Sequence, residues 1–86
     1  MFAITFANRL AADEFIAVAI QAEDIHREAD DILNAERIAE IADMVEAMIA
    51  DGLRPLSLND ELRDAAEGIH EDMRTLADTA ADVTIG

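Results

Sequence analysis

Leu58, Leu62, Ala65, Ile69, Met73, Leu76, Ala80 and Val83 recur at steps of three and four. That spacing puts side chains on one face of an α-helix, and predicts a helix over residues 58–83. Gly68 weakens it but lies off the stripe. Ser57-Leu58-Asn59-Asp60 resembles a capping box with Ser57 as the cap and Asp at the third helical position. The middle of the chain is as regular. Ile38, Ile41, Val45, Met48 and Ile49 share one face, Glu36, Glu40, Asp43, Ala47 and Asp51 the opposite one, and a helix over 35–51 follows. Gly52 and Pro55 bracket a loop between these two segments. Gly52 suits the left-handed position after a helix, with Leu53 as the apolar residue behind it.

The first segment, 9–33, reads less cleanly. Ala11, Phe15, Val18, Ala22, Ile25, Ala29 and Leu33 make one stripe, while Ile16 and Ile20 project from the other side. Asn34, or Asp30 and Asp31, would separate this helix from the next, unless the two are continuous. From Phe15 to Ile20 the helix is apolar almost all round. Such a stretch is central in a fold or lies in an interface, so Phe15, Ile16 and Ile20 are expected to carry self-association as a homodimer. Phe2-Ala3-Ile4-Thr5-Phe6 alternates weakly, but no second strand is evident to pair with it. Residues 1–8 are therefore expected as an arm or an early helical turn. The sum is a single all-α domain over 1–86, a helical hairpin or three-helix bundle that self-associates.

Composition adjusts this picture. With 86 residues the chain makes one small domain of marginal stability. Hydrophobic residues reach 52%, too many for a disordered acidic tail, although much of that is Ala. No Cys is present, so there is no disulfide framework and no thiolate metal site. The longest fully apolar run, Phe15 to Ile20, is far too short to span a bilayer, and no basic region precedes it. The expected location is the cytoplasm.

Charge changes the picture most. Twenty Asp and Glu stand against six Arg and no Lys, a formal net charge of −14. Such a surface repels nucleic acid and anionic membrane and attracts basic protein surfaces. On the last segment Asp60, Asp64, Glu67, Glu71, Asp78 and Asp82 fall within about 60° of one another if the helix is continuous, a row of roughly 33 Å. Glu36, Glu40, Asp43 and Asp51 make a shorter second row. A solvated helix face also needs polar residues, and a high-GC or salt-adapted proteome also yields acidic chains without Lys. Yet like charges four apart cost a few tenths of a kcal/mol each, so helix stability does not explain the rows. In size, charge and helix content the chain resembles anti-CRISPR proteins and other small acidic DNA-mimic inhibitors of phages and mobile elements. The resemblance implies a basic, nucleic-acid-binding protein or nucleoprotein complex as partner, with the carboxylates standing in for phosphates and no direct nucleic-acid or membrane binding.

Two further patterns bear on chemistry. Glu23-Asp24-Ile25-His26 and Glu67-Gly68-Ile69-His70 echo each other. Glu-x-x-His resembles the ligand pattern of ferritin-like di-iron carboxylate proteins. That resemblance implies Glu23, His26, Glu67 and His70 as ligands, with Glu36 or Glu40 bridging. The helix faces oppose it, because Ile25 and Ile69 are the core residues and Glu67 belongs to the outer acidic row. Glu40 and Asp43 have a spacing found in all-α nucleotide pyrophosphatases, without the second carboxylate cluster. Ser57, the only Ser, reads as a cap. No catalytic centre, cofactor or metal is expected. Three functions compete: an acidic inhibitor or regulator that binds protein, a structural oligomerisation module, and a carboxylate/His metal protein.

Overall fold

The computed structural model describes residues 2–86. Three short stretches of alternating side chains, β1 (Phe2–Phe6), β2 (Leu56–Leu58) and β3 (Val83–Ile85), form an antiparallel sheet in the order β2-β1-β3. Between them run α1 (Arg9–Glu28), α2 (Ile32–Ala50) and α3 (Asp60–Leu76), with a 3-10 turn at Ala80–Asp82 before β3. The molecule is mostly helical, as expected, but not all-α. The segment expected as an arm is the central strand; Met1, its first residue, lies outside the described residues. The partners of β1 come from places where helical spacing hides strands. Leu56 and Leu58 flank Ser57 in β2, and Val83 continues the apolar stripe of the preceding helix only by coincidence of spacing.

Register explains the sheet's two faces. Ile4 pairs with Leu56 on one side and Ile85 on the other, Phe2 with Leu58, and Phe6 with Val83. These side chains point to one face, because successive residues of a strand alternate, and Ile4, Phe6, Leu58 and Val83 are buried there against the helices. Ala3 pairs with Ser57 and Thr5 with Thr84; Thr5, Ser57 and Thr84 are exposed on the other face. Just beyond β3, Ala3 and Gly86 exchange both backbone hydrogen bonds, at 2.9 and 3.1 Å.

Local chemistry sets where each helix starts and stops. Asn8 Oδ1 accepts from Ala11 N at 2.8 Å and caps α1. Ser57 does not cap α3; Asn59 does, its Oδ1 accepting from Leu62 N at 2.9 Å. An Asn supplies the same acceptor as a Ser, and Ser57 is occupied by the sheet. The α1–α2 break falls at Asp30, in the left-handed region at φ 63°. Asp31 N donates to His26 O and Asp30 N to Arg27 O, at 2.8 and 3.1 Å, the paired closure in which glycine is the usual left-handed residue. At the end of α2 Gly52 takes that role at φ 90°, with Leu53 N donating to Met48 O at 3.0 Å. The expected stripe does not hold at the hairpin tip: Ile25, in the last turn of α1 and expected in the core, is exposed, and so is Leu33, past the end of α1 at Glu28.

The core lies where the three helices meet the inner face of the sheet. Phe15 is 0% exposed and meets Phe6 edge-on, ring centroids 5.4 Å apart. Ile41 and Val45 of α2 and Ile69 and Met73 of α3 complete it. Phe15 is thus an inward residue and unavailable to a self-association surface. Ile16 is partly buried against the same core, and of the three residues expected to associate only Ile20 is exposed. The third helix also ends early. Ala77 is extended, at φ −145° and ψ 148°, and Leu76 is exposed instead of buried. No helix among the described residues is long and apolar enough to cross a membrane.

Candidate acidic docking face and groove

On α3 the buried line is Leu62, Ala66, Ile69 and Met73. Asp60, Asp64, Glu67 and Glu71 project from the opposite side, all exposed, as the helical period requires. They span about 17 Å of helix axis. The row is half the expected length, because Asp78 and Asp82 lie past the end of α3. Asp82 sits in the 3-10 turn, where its backbone carbonyl accepts from Ala7 N at 2.9 Å. Glu67 faces Arg63, Nε to Oε1 3.0 Å, without hydrogen-bond alignment. The Arg63 guanidinium also lies over the Phe2 ring, 3.7 Å from its centroid. Glu71 is 3.2 Å from Arg74. No arginine among the described residues comes within 4.0 Å of Asp60 or Asp64. The second row, Glu36, Glu40 and Asp43, is exposed along α2, with Asp51 at its C-terminal cap.

A groove of about 330 Å³ runs between α3 and the α1–α2 hairpin. Ala22, Ile38, Ala65 and Ile69 give it an apolar floor, and His26, Asn34, Arg37, Glu61, Asp64 and Asp72 a polar rim. Arg37 reaches across toward Glu61 at 3.6 Å, too long for a hydrogen bond. At the hairpin end Asp31 Oδ2 accepts from Asn34 Nδ2 at 2.8 Å and lies 3.2 Å from His26 Nδ1. The Asp31 carboxyl is held below its ordinary value, chiefly by the Asn34 hydrogen bond and also by His26. Gly68 lines the groove in mid-helix, and a Cβ built there meets nothing within 4 Å. A glycine at such a place costs about 1 kcal/mol relative to alanine, and nothing in the chain's own packing requires it.

The Glu-x-x-His pairs do not converge. Glu23 Oε2 accepts from Arg27 Nε at 2.9 Å. His26 turns to Asp31, and Glu67 to Arg63. His70 Nε2 donates to the Ala80 carbonyl at 2.8 Å. Among the described residues no three His, Asp or Glu side chains are grouped to hold a metal ion. Glu36 and Glu40 point to solvent from α2. One polar joint had no signature in the sequence: Thr79, buried, donates from Oγ1 to Glu14 Oε2 at 2.6 Å. It ties the segment after α3 to α1 and so sets where β3 begins.

No protein-family model, curated protein or solved structure matches this chain.

Proposed function

We propose that this protein acts by binding a basic protein surface, as an inhibitor or regulator, with the carboxylates of α3 as its docking face. One observation carries the reading. Asp60, Asp64, Glu67 and Glu71 form an outward row opposite the buried line of the same helix, and arginines face only Glu67 and Glu71. Turn-by-turn negative charge at about 5–6 Å suits a groove of Arg and Lys that ordinarily receives a phosphate backbone. The partner is then a nucleic-acid-binding protein or a nucleoprotein complex. Glu36, Glu40 and Asp43 on α2 extend the negative field that steers encounter.

The test compares wild type with Asp60→Asn/Glu67→Gln/Glu71→Gln, first as baits for capture from host lysate and then against the purified partner. Binding should weaken about tenfold or more in the variant and fall steeply with salt, mainly through the association rate. Folding stability should change by less than about 1 kcal/mol, since relief of four-apart repulsion is offset by loss of the Arg63 and Arg74 pairs and of Asp60 in the first turn. Equal affinity with a flat salt response would overturn the reading. A second reading, a structural helical module, draws on other residues: Ile20, Ile25 and Leu33 are exposed apolar side chains. It expects salt-insensitive association that is lost in Ile25→Asp/Leu33→Asp.

A further inference from the structure

We propose that the notch in α3 between Asp64 and Asp72, opened by Gly68, receives a single arginine or lysine side chain of the protein partner. The inference rests on the docking reading above and gives it a point of attachment. Asp64, Gly68 and Asp72 are successive positions four apart, each about 6 Å along the axis from the next. All three line the groove. The row is therefore carboxylate, gap, carboxylate, and the gap looks across at Ala22 of α1.

Two observations coincide at this place. Gly68 is tolerated at a cost to the helix, and a Cβ built there would meet no side chain and no other element within 4 Å. The space beside position 68 is thus open to a partner's side chain. The charge is also unbalanced. The groove holds three carboxylates, Glu61, Asp64 and Asp72, against the one guanidinium of Arg37, which leans to Glu61, and the His26 ring, which turns to Asp31. Among the described residues no arginine lies within 4.0 Å of Asp64 or Asp72.

A basic side chain complements all of this. Its aliphatic stem covers the apolar floor at Ala65 and Ile69 while its head stays at the rim, where a carboxylate gives a charge-assisted hydrogen bond. The two carboxylates are separated by about 12 Å of helix axis, so they suit a side chain lying between them and not a chelated metal ion, which needs its oxygens about 2–2.6 Å away.

The probe is the peptide acetyl-Gly-Arg-Gly-Arg-Gly-amide, titrated into isotope-labelled protein at about 25 mM salt, with the Ala-for-Arg peptide as control. Amide shifts should concentrate on residues 61–72 and on the facing stretch around Ala22. Gly68→Leu fills the notch and should weaken binding about tenfold, and Gly68→Ala should weaken it less. Both variants should keep the wild-type helix signal and melt no lower than wild type, because each favours the helix. Asp60→Asn/Glu67→Gln/Glu71→Gln leaves the notch intact and should weaken peptide binding less than Gly68→Leu does, the gap widening at about 150 mM salt, where the outer charges are screened. Wild-type affinity in Gly68→Leu overturns the notch. If, in addition, the triple variant alone loses the peptide, the outer docking face stands without it. No response of wild type beyond the control peptide overturns both.

Discussion

The sheet and the helices of this protein treat charge in opposite ways. None of the twenty Asp and Glu lies in a strand. The outer face of the sheet is Ala3, Thr5, Ser57 and Thr84, whereas α3 alone carries Asp60, Glu61, Asp64, Glu67, Glu71 and Asp72. The contrast has a geometric cause. Like charges directly opposite on paired strands repel at close range, while a helix spreads its polar residues over a wide solvated arc and loses only a few tenths of a kcal/mol per like pair. The sheet is left with uncharged edges, a risk for edge-to-edge pairing that it limits by shortness: β2 and β3, the edge strands, have three residues each. Both layers contribute to the core, but the charge is carried outside the sheet, chiefly on the helices.

Three changes test how the layers depend on each other. Phe15→Ala removes the ring that joins α1 to Phe6 of β1. A large buried aromatic is worth about 3–5 kcal/mol, against a total of about 5–15, so urea unfolding should show a loss of about 3–5 kcal/mol, a large share of the whole. A loss below about 1 kcal/mol would mean that the layers are held elsewhere. Thr79→Val keeps the size of the side chain but removes its donation to Glu14. The expected cost is about 1–2 kcal/mol by thermal melting. A cycle with Glu14→Ala should show coupling between the two sites, and full additivity would deny the joint.

The smallest effect sits at the hairpin tip, far from strand chemistry. The Asp31 carboxyl is lowered from 3.8 in the folded state. A lowered carboxyl binds its proton less readily when folded, so its contribution is present above the unfolded value and fades as pH falls through the folded one. Asn34→Ala removes the main cause, and NMR titration should show the Asp31 value rising toward 3.8. An unmoved value would assign the shift to His26.

How far the fold could be read from residues follows the same division. The buried faces Ile38–Met48 and Leu62–Met73 declare themselves by spacing, and Gly52 marks the end of α2 because only its conformation closes that turn so easily. The strands do not declare themselves. Each is short, and β1 is recognisable only through partners at the far side of the chain. Leu58 and Val83 satisfy helical and strand spacing alike, so the stripe runs on past both true ends of α3. No glycine or proline marks its stop at Leu76; the buried Thr79–Glu14 bond, formed across the fold, accompanies the turn there. Within the candidate site, the outward placement of Asp60, Asp64, Glu67 and Glu71 is legible from period alone. The groove is not, since it depends on how three helices lie together, and Gly68 reads as a weak point until the space beside it is seen.

The pairing of Ala3 with Gly86 has a consequence for the order of events in synthesis. The central strand is made before either of its partners, and Ile4 must wait for Ile85 before its second edge is covered. Contacts so distant along the chain form late and slow the final closure. Until then the nascent protein is an acidic helical body with an open, apolar strand, and the mutual repulsion of its carboxylates keeps such intermediates apart. The same carboxylates would thus keep the unfinished chain from aggregating.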